Sequence, residues 1–172
     1  RSRWNASIAE RLSPRDGERV VSLFCYDNPA LPALLRSLAT SPTLLLLTPG
    51  YAQAQVGSAP PGVRLASLPW LDQGGFDHLL AACDINFVRG EDSLVRALWA
   101  GAPMVWQAYP QHDGAHFAKL QALLAQWAAP PDVARLWQAW NGWPDLAWPG
   151  LPEMQLWATA QRRGTTPPAE RT

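Results

Sequence analysis

Read for the alternation of apolar and polar positions, the chain divides into short apolar runs separated by amphipathic segments. VVSLFC (20–25) follows charge and precedes Tyr26-Asp27-Asn28-Pro29, which predicts a first core strand. Leu31, Leu34, Leu35 and Leu38 recur at helical spacing from the Pro29/Pro32 start to Thr40. TLLLLT (43–48) is continuously apolar between Pro42 and Pro49, the mark of a strand buried on both faces. A short helix is expected over 51–56, a third strand over 62–68, and a helix over 76–83 carried by Phe76, Leu79, Leu80 and Cys83. Phe117, Leu120, Leu123, Leu124 and Trp127 define a helix over 113–127, capped by Asp113, and a further helix is expected over 132–140. Strands alternating with helices at this spacing predict an α/β, Rossmann-like fold: a parallel sheet with helices on both faces.

The stretch DINFVRGEDSLVRALWAGAPMVWQAYP (84–110) carries the most chemistry. It predicts a buried strand over 85–88, a sharp turn at Arg89-Gly90, a short helix with Leu94, Val95 and Leu98 on one face, and a strand over 104–106. Gly101 sits at the C′ position, with Pro103 shortly after it. Where the helix begins, the first N–H groups lack intrahelical partners, and Asp92 or Ser93 can cap them. Those donors, the helix dipole and the Arg89 guanidinium together suit an anion such as phosphate. Glu91 and Asp92 would repel a diphosphate lying against them. The resolution is a division of labour: Arg89, Ser93 and the backbone take the diphosphate, while the carboxylates accept sugar hydroxyls. On the turn alone, a capped helix with a solvated acidic first turn accounts for the same residues.

Ligands of open parallel sheets bind beyond the carboxyl ends of the strands. Those ends carry Phe24, Tyr26, Asp27 and Asn28; Trp70, Asp72 and Gln73; Arg89 to Ser93; and Gln107, Tyr109 and Gln111. Aromatic rings there can sandwich a base, so the rim suits a nucleotide-sugar. No GxGxxG follows the first strand and no Walker A sequence occurs.

Composition narrows the classes further. Lys+Arg and Asp+Glu balance at 14 each, with Lys119 the one lysine, so no global field draws nucleic acid or an anionic membrane. Cys25 and Cys83 lack CxxC spacing and read as free buried thiols of a reducing, cytoplasmic compartment. No apolar run is long enough to span a bilayer. His112 and His116 in HDGAH have no third ligand nearby, and no metal or cofactor is expected. Trp99, Trp127, Trp137 and Trp140 stand at core-like spacing. Residues 1–19 read as a linker, the chain as a piece of something longer, and 146–172 as a Trp/Pro-rich segment with a disordered tail.

SLFCYDNPALPALL (22–35), LPWLDQGGFDHLLAACDINFVRGEDSLVRALWAGAPMVWQAYPQHDGAHFAKL (68–120) and LWQAWNGW (136–143) resemble the bacterial protein-arginine rhamnosyltransferases that modify translation elongation factor P, the EarP family. The likeness runs over about residues 20–145. It implies that this segment is the donor-binding, C-terminal half of a two-domain GT-B glycosyltransferase, with the N-terminal acceptor domain and its general-base aspartate absent. The implied donor is TDP-L-rhamnose, the acceptor an arginine of the elongation factor, and the outcome inversion. Residue by residue, the likeness places Phe24 and Phe76 against thymine and Gln73 as a base-contacting amide. Arg89, Gly90, Ser93 and Tyr109 fall at the diphosphate, Glu91 and Asp92 near sugar and diphosphate, and Trp70 in the aromatic wall. Glu91 takes the supporting catalytic role. Leu94 and Met104 stand where phenylalanine is expected. Trp143 and Trp148 are expected to cover an apolar face turned toward the absent domain. The fragment alone is expected to bind donor without turnover. A uridine-linked donor and a non-enzymatic nucleotide-binding α/β domain are the competing readings.

Overall fold

Five strands pair in parallel in the order β3-β2-β1-β4-β5, and helices cover both faces of the sheet. The computed structural model describes residues 13–153 together with 157, 158 and 161; residues 1–12 of the expected linker and the expected disordered tail lie outside them. The strands are β1 (Arg19–Leu23), β2 (Thr43–Leu47), β3 (Val63–Ser67), β4 (Ile85–Arg89) and β5 (Met104–Gln107). Between and after them run α1 (Leu31–Leu38), α2 (Tyr51–Gln55), α3 (Gln73–Ala82), α4 (Gly90–Ala100), α5 (Ala115–Gln126) and α6 (Pro131–Trp140).

Burial explains the patterning. All five residues of β2 are buried, as its unbroken apolar run requires of an interior strand. Val21, Leu23, Leu45, Leu47, Ile85 and Phe87 alternate onto the face covered by α1 and α6, where Trp137 and Trp140 are fully buried. Leu44 and Leu46 point the other way, onto Leu79 of α3 and Cys83 just after it. Ser22 and Asn86, side by side in register, share that second face: Ser22 Oγ donates to Asn86 Oδ1 at 2.5 Å, and Asn86 Nδ2 donates to the Leu80 carbonyl at 2.9 Å. A buried polar pair is tolerated here because both partners are satisfied. Cys25 and Cys83 are buried and unpaired, and burial pushes each thiol pKa up to about 12.

Among the described residues, side chains rather than a sixth strand finish the β5 edge. Met104 donates its N–H to Gln161 Oε1 at 3.0 Å, and its carbonyl accepts from Trp157 Nε1 at 2.9 Å. Further along, the Trp106 carbonyl accepts from Asn141 Nδ2 at 2.7 Å, while Ala108 N–H donates to Asn141 Oδ1 at 2.8 Å. Asn141 thus reproduces with one amide the donor and acceptor of a missing neighbour strand, removing an open pairing template. Asn28 does similar work at the end of β1. Its Oδ1 accepts from Ala30 N–H at 2.9 Å, closing the turn before α1, and its Nδ2 donates to the Trp140 carbonyl at 2.8 Å.

Four expectations need correction. α3 starts at Gln73, three residues earlier than the apolar spacing suggests, because the Asp72 carboxylate caps it by accepting from Gly75 N–H at 2.7 Å. α4 begins at Gly90, immediately after β4, with Arg89 as its N-cap residue, so Asp92 and Ser93 lie inside its first turn and neither is the N-cap residue. On α4 the buried positions are the small Ser93 and Ala97; Val95 is 41% exposed and Trp99 is 78% exposed, so neither is core. Trp143 and Trp148 cover this domain's own core: Trp143 packs edge-on to Phe117 at 5.1 Å, and Trp148 Nε1 donates to Ser37 Oγ at 2.8 Å.

Asn141→Ala leaves the Trp106 carbonyl of β5 and the Ala108 N–H just beyond it without these partners, and is expected to lower the unfolding free energy by about 1–3 kcal/mol in urea titration. A second expectation concerns acid. The Arg64 guanidinium hydrogen-bonds Glu18 at 2.7 Å and, as the largest cause, lowers its carboxyl pKa from 4.5 to about 2. Because the folded value is the depressed one, this contribution is present above pH 4.5 and is lost as pH falls toward 2. Glu18→Gln should therefore flatten the acid limb of a stability-against-pH profile in that window.

Candidate nucleotide-binding cleft

The strand order reverses between β1 and β4, since the chain builds outward from β1 to β3 and then returns to the other side of β1. Crevices form at such a point because the connections leave the two strand ends in opposite directions. Here a cleft of about 460 Å³ opens, lined by Phe24 and Tyr26 just beyond β1, by Arg89 at the end of β4 and by Gly90 at the start of α4. Thr48 and Pro49 line it from the end of β2, Trp70 to Asp72 from the β3–α3 connection, Gln73 and Phe76 from the first turn of α3, and Glu91 to Ser93 and Arg96 from α4.

Of the ten residues singled out in the sequence, all but Tyr109 line this cleft. Tyr109 is 66% exposed beside it, its ring edge-on to Tyr26 at 5.4 Å. Phe24 and Phe76 meet edge-to-face at 5.6 Å, and Trp70 projects at the rim, 82% exposed. A flat ring entering here would find aromatic side chains from two connections.

Arg89 occupies the centre of the arrangement. Its Cζ lies 4.4 Å from the Phe24 ring centroid, 4.6 Å from that of Tyr26 and 5.6 Å from that of Tyr51. Such contacts hold a cation by about 0.5–2 kcal/mol each through the π faces, and they leave its N–H fork available. Among the described residues no oxygen hydrogen-bonds that guanidinium and no carboxylate pairs with it. Backbone geometry places it there. The Ser93 hydroxyl accepts from Arg89 N–H at 3.1 Å and donates to the Arg89 carbonyl, tying the strand end to the first helical turn. Gly90 takes φ +69°, and a Cβ there would stand 3.0 Å from the Tyr26 hydroxyl, so both conformation and space favour glycine. Trp106 Nε1 donates to the Gly90 carbonyl at 2.8 Å, bracing the turn from β5.

The two carboxylates of this turn are drawn away from each other. Glu91 pairs with Lys119 of α5 at 3.3 Å. Asp92 pairs with Arg96 at 3.1 Å, and Arg96 Nη1 reaches Asp77 of α3 at 2.9 and 3.0 Å. The hydrogen bonds it donates to Asp77, and then to Asp92, raise the Arg96 pKa above its ordinary value. His116 is buried on the first turn of α5, its Nδ1 accepting from Gln111 N–H at 3.0 Å, and Asp113 accepts from Ala115 N–H at 3.1 Å. No group of three His, Cys, Asp or Glu side chains among the described residues could hold a metal ion. No helix among them is long and apolar enough to cross a membrane.

Sequence reasoning missed Thr48, Pro49 and Arg96 as cleft residues and Tyr51 as a ring beside Arg89, and it placed Asp72 at the rim without giving it a role. Tyr26 stood beyond the first strand but was not singled out, although it shares a side with Phe24 by the period of two. Arg96 carried a readable signal, four residues after Asp92 on one helix face. Tyr51 carried none, because the PG break after β2 does not reveal which way the next helix turns.

The family model described as Elongation-Factor P (EF-P) rhamnosyltransferase EarP matches residues 2–167. A protein-arginine rhamnosyltransferase of Pseudomonas aeruginosa is 41% identical over 200 residues, covering 94% of this chain and 53% of its own length. That of Shewanella oneidensis is 37% identical, covering 72% and 37%. A solved structure reported as the structural basis for EarP-mediated arginine glycosylation of translation elongation factor EF-P aligns with a TM-score of 0.71 at 32% identity, over 92% of this chain and 58% of that one. MurG of Acinetobacter baumannii aligns with a TM-score of 0.53 at 15% identity, over 91% and 47%, a likeness of fold alone. The fold is thus that of GT-B glycosyltransferases, and the chain spans about half the length of the curated relatives it matches.

Gly90→Ala is expected to cost about 1–2 kcal/mol from the left-handed backbone and to displace the Tyr26 ring. Thermal melting reads the first effect, and a crystal structure of the variant reads the second.

Proposed function

Since the chain belongs to the EF-P rhamnosyltransferase family, we propose that this domain binds TDP-L-rhamnose for inverting transfer of the sugar to an arginine side chain of elongation factor P in the cytoplasm. The observation that carries the reading is Arg89: a guanidinium without an anionic partner among the described residues, held by aromatic rings at the switch point beside the N-terminus of α4. Its free fork can take diphosphate oxygens bidentately. Phe24, Phe76 and Trp70 provide ring faces for thymine, with Gln73 as the amide for its edge. Gly90 lets the backbone of the turn approach the diphosphate without a side chain in between. Tyr109 beside Tyr26 would swing onto the diphosphate, and Ser93 holds the turn and adds a hydroxyl when released from Arg89.

Glu91 and Asp92 line the cleft with their carboxylates paired to Lys119 and Arg96, and they are assigned to the sugar hydroxyls, with Glu91 in support of the chemistry. Charge compensation on the diphosphate is assigned to Arg89 and the α4 amides, without a metal. Transfer to arginine requires the acceptor to be held in line with the anomeric carbon and a base to take its proton. Neither is assigned to a residue of this domain, so residues 1–172 by themselves are expected to bind donor without turnover; rhamnosyl transfer by them alone would overturn that point.

Calorimetric titration tests the reading. Wild-type protein should bind TDP and TDP-L-rhamnose, and Arg89→Ala should weaken both by roughly ten- to a hundredfold, as loss of charged hydrogen bonds of about 1.5–3 kcal/mol implies. UDP should bind more weakly than TDP. Equal competition by UDP would favour a uridine-linked donor instead, and no nucleotide binding would favour the non-enzymatic alternative.

A further inference from the structure

The cleft as a whole is an adverse place for an anion. Around it stand Asp72, Asp77, Glu91 and Asp92 against Arg89, Arg96 and Lys119. Arg89 is the one of these cations that no carboxylate engages among the described residues, so the other two must keep the acidic groups from outweighing it. Lys119 and Glu91 form an exposed pair, 56% and 79% accessible at the side chains, and such pairs are mobile and weak. Arg96 differs. Its side chain is 14% exposed, it lines the cleft, and it makes three hydrogen bonds to two carboxylates on two helices. A planar guanidinium fixed on both edges cannot be replaced by a freely moving ammonium.

The two carboxylates it holds belong to the two walls of the cleft. Asp92 sits in the first turn of α4, two residues beyond Gly90, and Asp77 follows Phe76 on α3. We infer that Arg96 is a positioning residue for the nucleotide diphosphate: it turns the Asp92 carboxylate aside and neutralises it, and through Asp77 it sets the Phe76 wall against the Arg89 turn. This inference rests on the donor-site reading above. The repulsion expected of an acidic first turn is thereby relieved by an arginine one turn further along the same helix. Arg96 itself does not contact the ligand; it acts through Asp92 and Asp77.

The test compares TDP with thymidine, which shares the base and lacks the phosphates, in wild-type protein, Arg96→Gln, Asp92→Asn and the double variant, with Arg96→Lys alongside. Arg96→Gln is expected to weaken TDP roughly tenfold, within the range of coupled charged neighbours, and to weaken thymidine several-fold less. Adding Asp92→Asn should recover most of that loss relative to Asp92→Asn alone, and Arg96→Lys should restore it only in part. Equal losses for TDP and thymidine, or an additive cycle, would overturn the role of Arg96 while leaving the donor site intact. Wild-type protein that binds neither ligand would overturn the donor-site reading and this inference with it. Circular dichroism and urea midpoints of each variant separate a folding defect from either result; if Arg96→Gln does not fold, the cycle is run with Asp77→Asn in its place, which should spare TDP more than Phe76→Ala does and would count against the inference if it did not.

Discussion

The parallel pairing of β1 with β4 governs everything at the rim of this domain. These strands are far apart in sequence, and their register puts Leu23 opposite Phe87, so the chain emerges from both within one layer of side chains. Phe24 even continues the pairing, donating its N–H to the Phe87 carbonyl at 2.9 Å. From that junction the β1 chain leads to Tyr26 and the β4 chain to Arg89 and Gly90, which is why the guanidinium comes to rest on those rings. The pairing in turn needs buried faces on both sides. Burying each large apolar side chain contributes on the order of 1.5–3 kcal/mol before entropy is charged against it, and β2 with its five buried residues anchors the other side of β1.

Charge at the rim is a matter of placement rather than stability. Exposed ion pairs such as Glu91 with Lys119 contribute about 0–1 kcal/mol, too little to shape a fold of this size. Their effect is on direction. Lys119 of α5 and Arg96 of α4 draw the acidic side chains of the α4 turn outward, Arg96 itself being held by Asp77 of α3, while Arg89 is held by rings that attract it without occupying its donors. Aromatic confinement keeps a cation oriented at modest energy, so a charged ligand can compete for it.

The tryptophan-rich end of the chain has a structural explanation that composition alone conceals. A parallel sheet whose last strand is β5 would expose a row of unpaired backbone groups. Trp157, Gln161 and Asn141 answer those groups individually, and Trp143 and Trp148 seal the layer above α1, α5 and α6. These are contacts of an ordinary core, made by side chains that carry both a large apolar face and a single donor.

Much of the molecule was determined by local pattern. The unbroken TLLLLT run, the alternation in β1 and β4, the leucine spacing of α1 and the left-handed Gly101 that ends α4 each follow from backbone and burial rules that act over a few residues. The same rules, with the strand-end principle, pointed to eight of the candidate residues that line the cleft, and the family resemblance added Phe76. Tertiary structure decided what local pattern could not. Trp99 and Val95 have helical spacing compatible with burial, but α4 is pressed to its neighbours through Ser93 and Ala97 and turns them to solvent. Arg96 reads as one member of an i,i+4 pair until α3 brings Asp77 to its other edge. Tyr51 joins the rings around Arg89 because β2 and β4 flank the same central strand, a proximity that no stretch of sequence contains. Period and composition act along the chain; which side chains meet across it depends on sheet order and helix packing, and the cleft is made of such meetings.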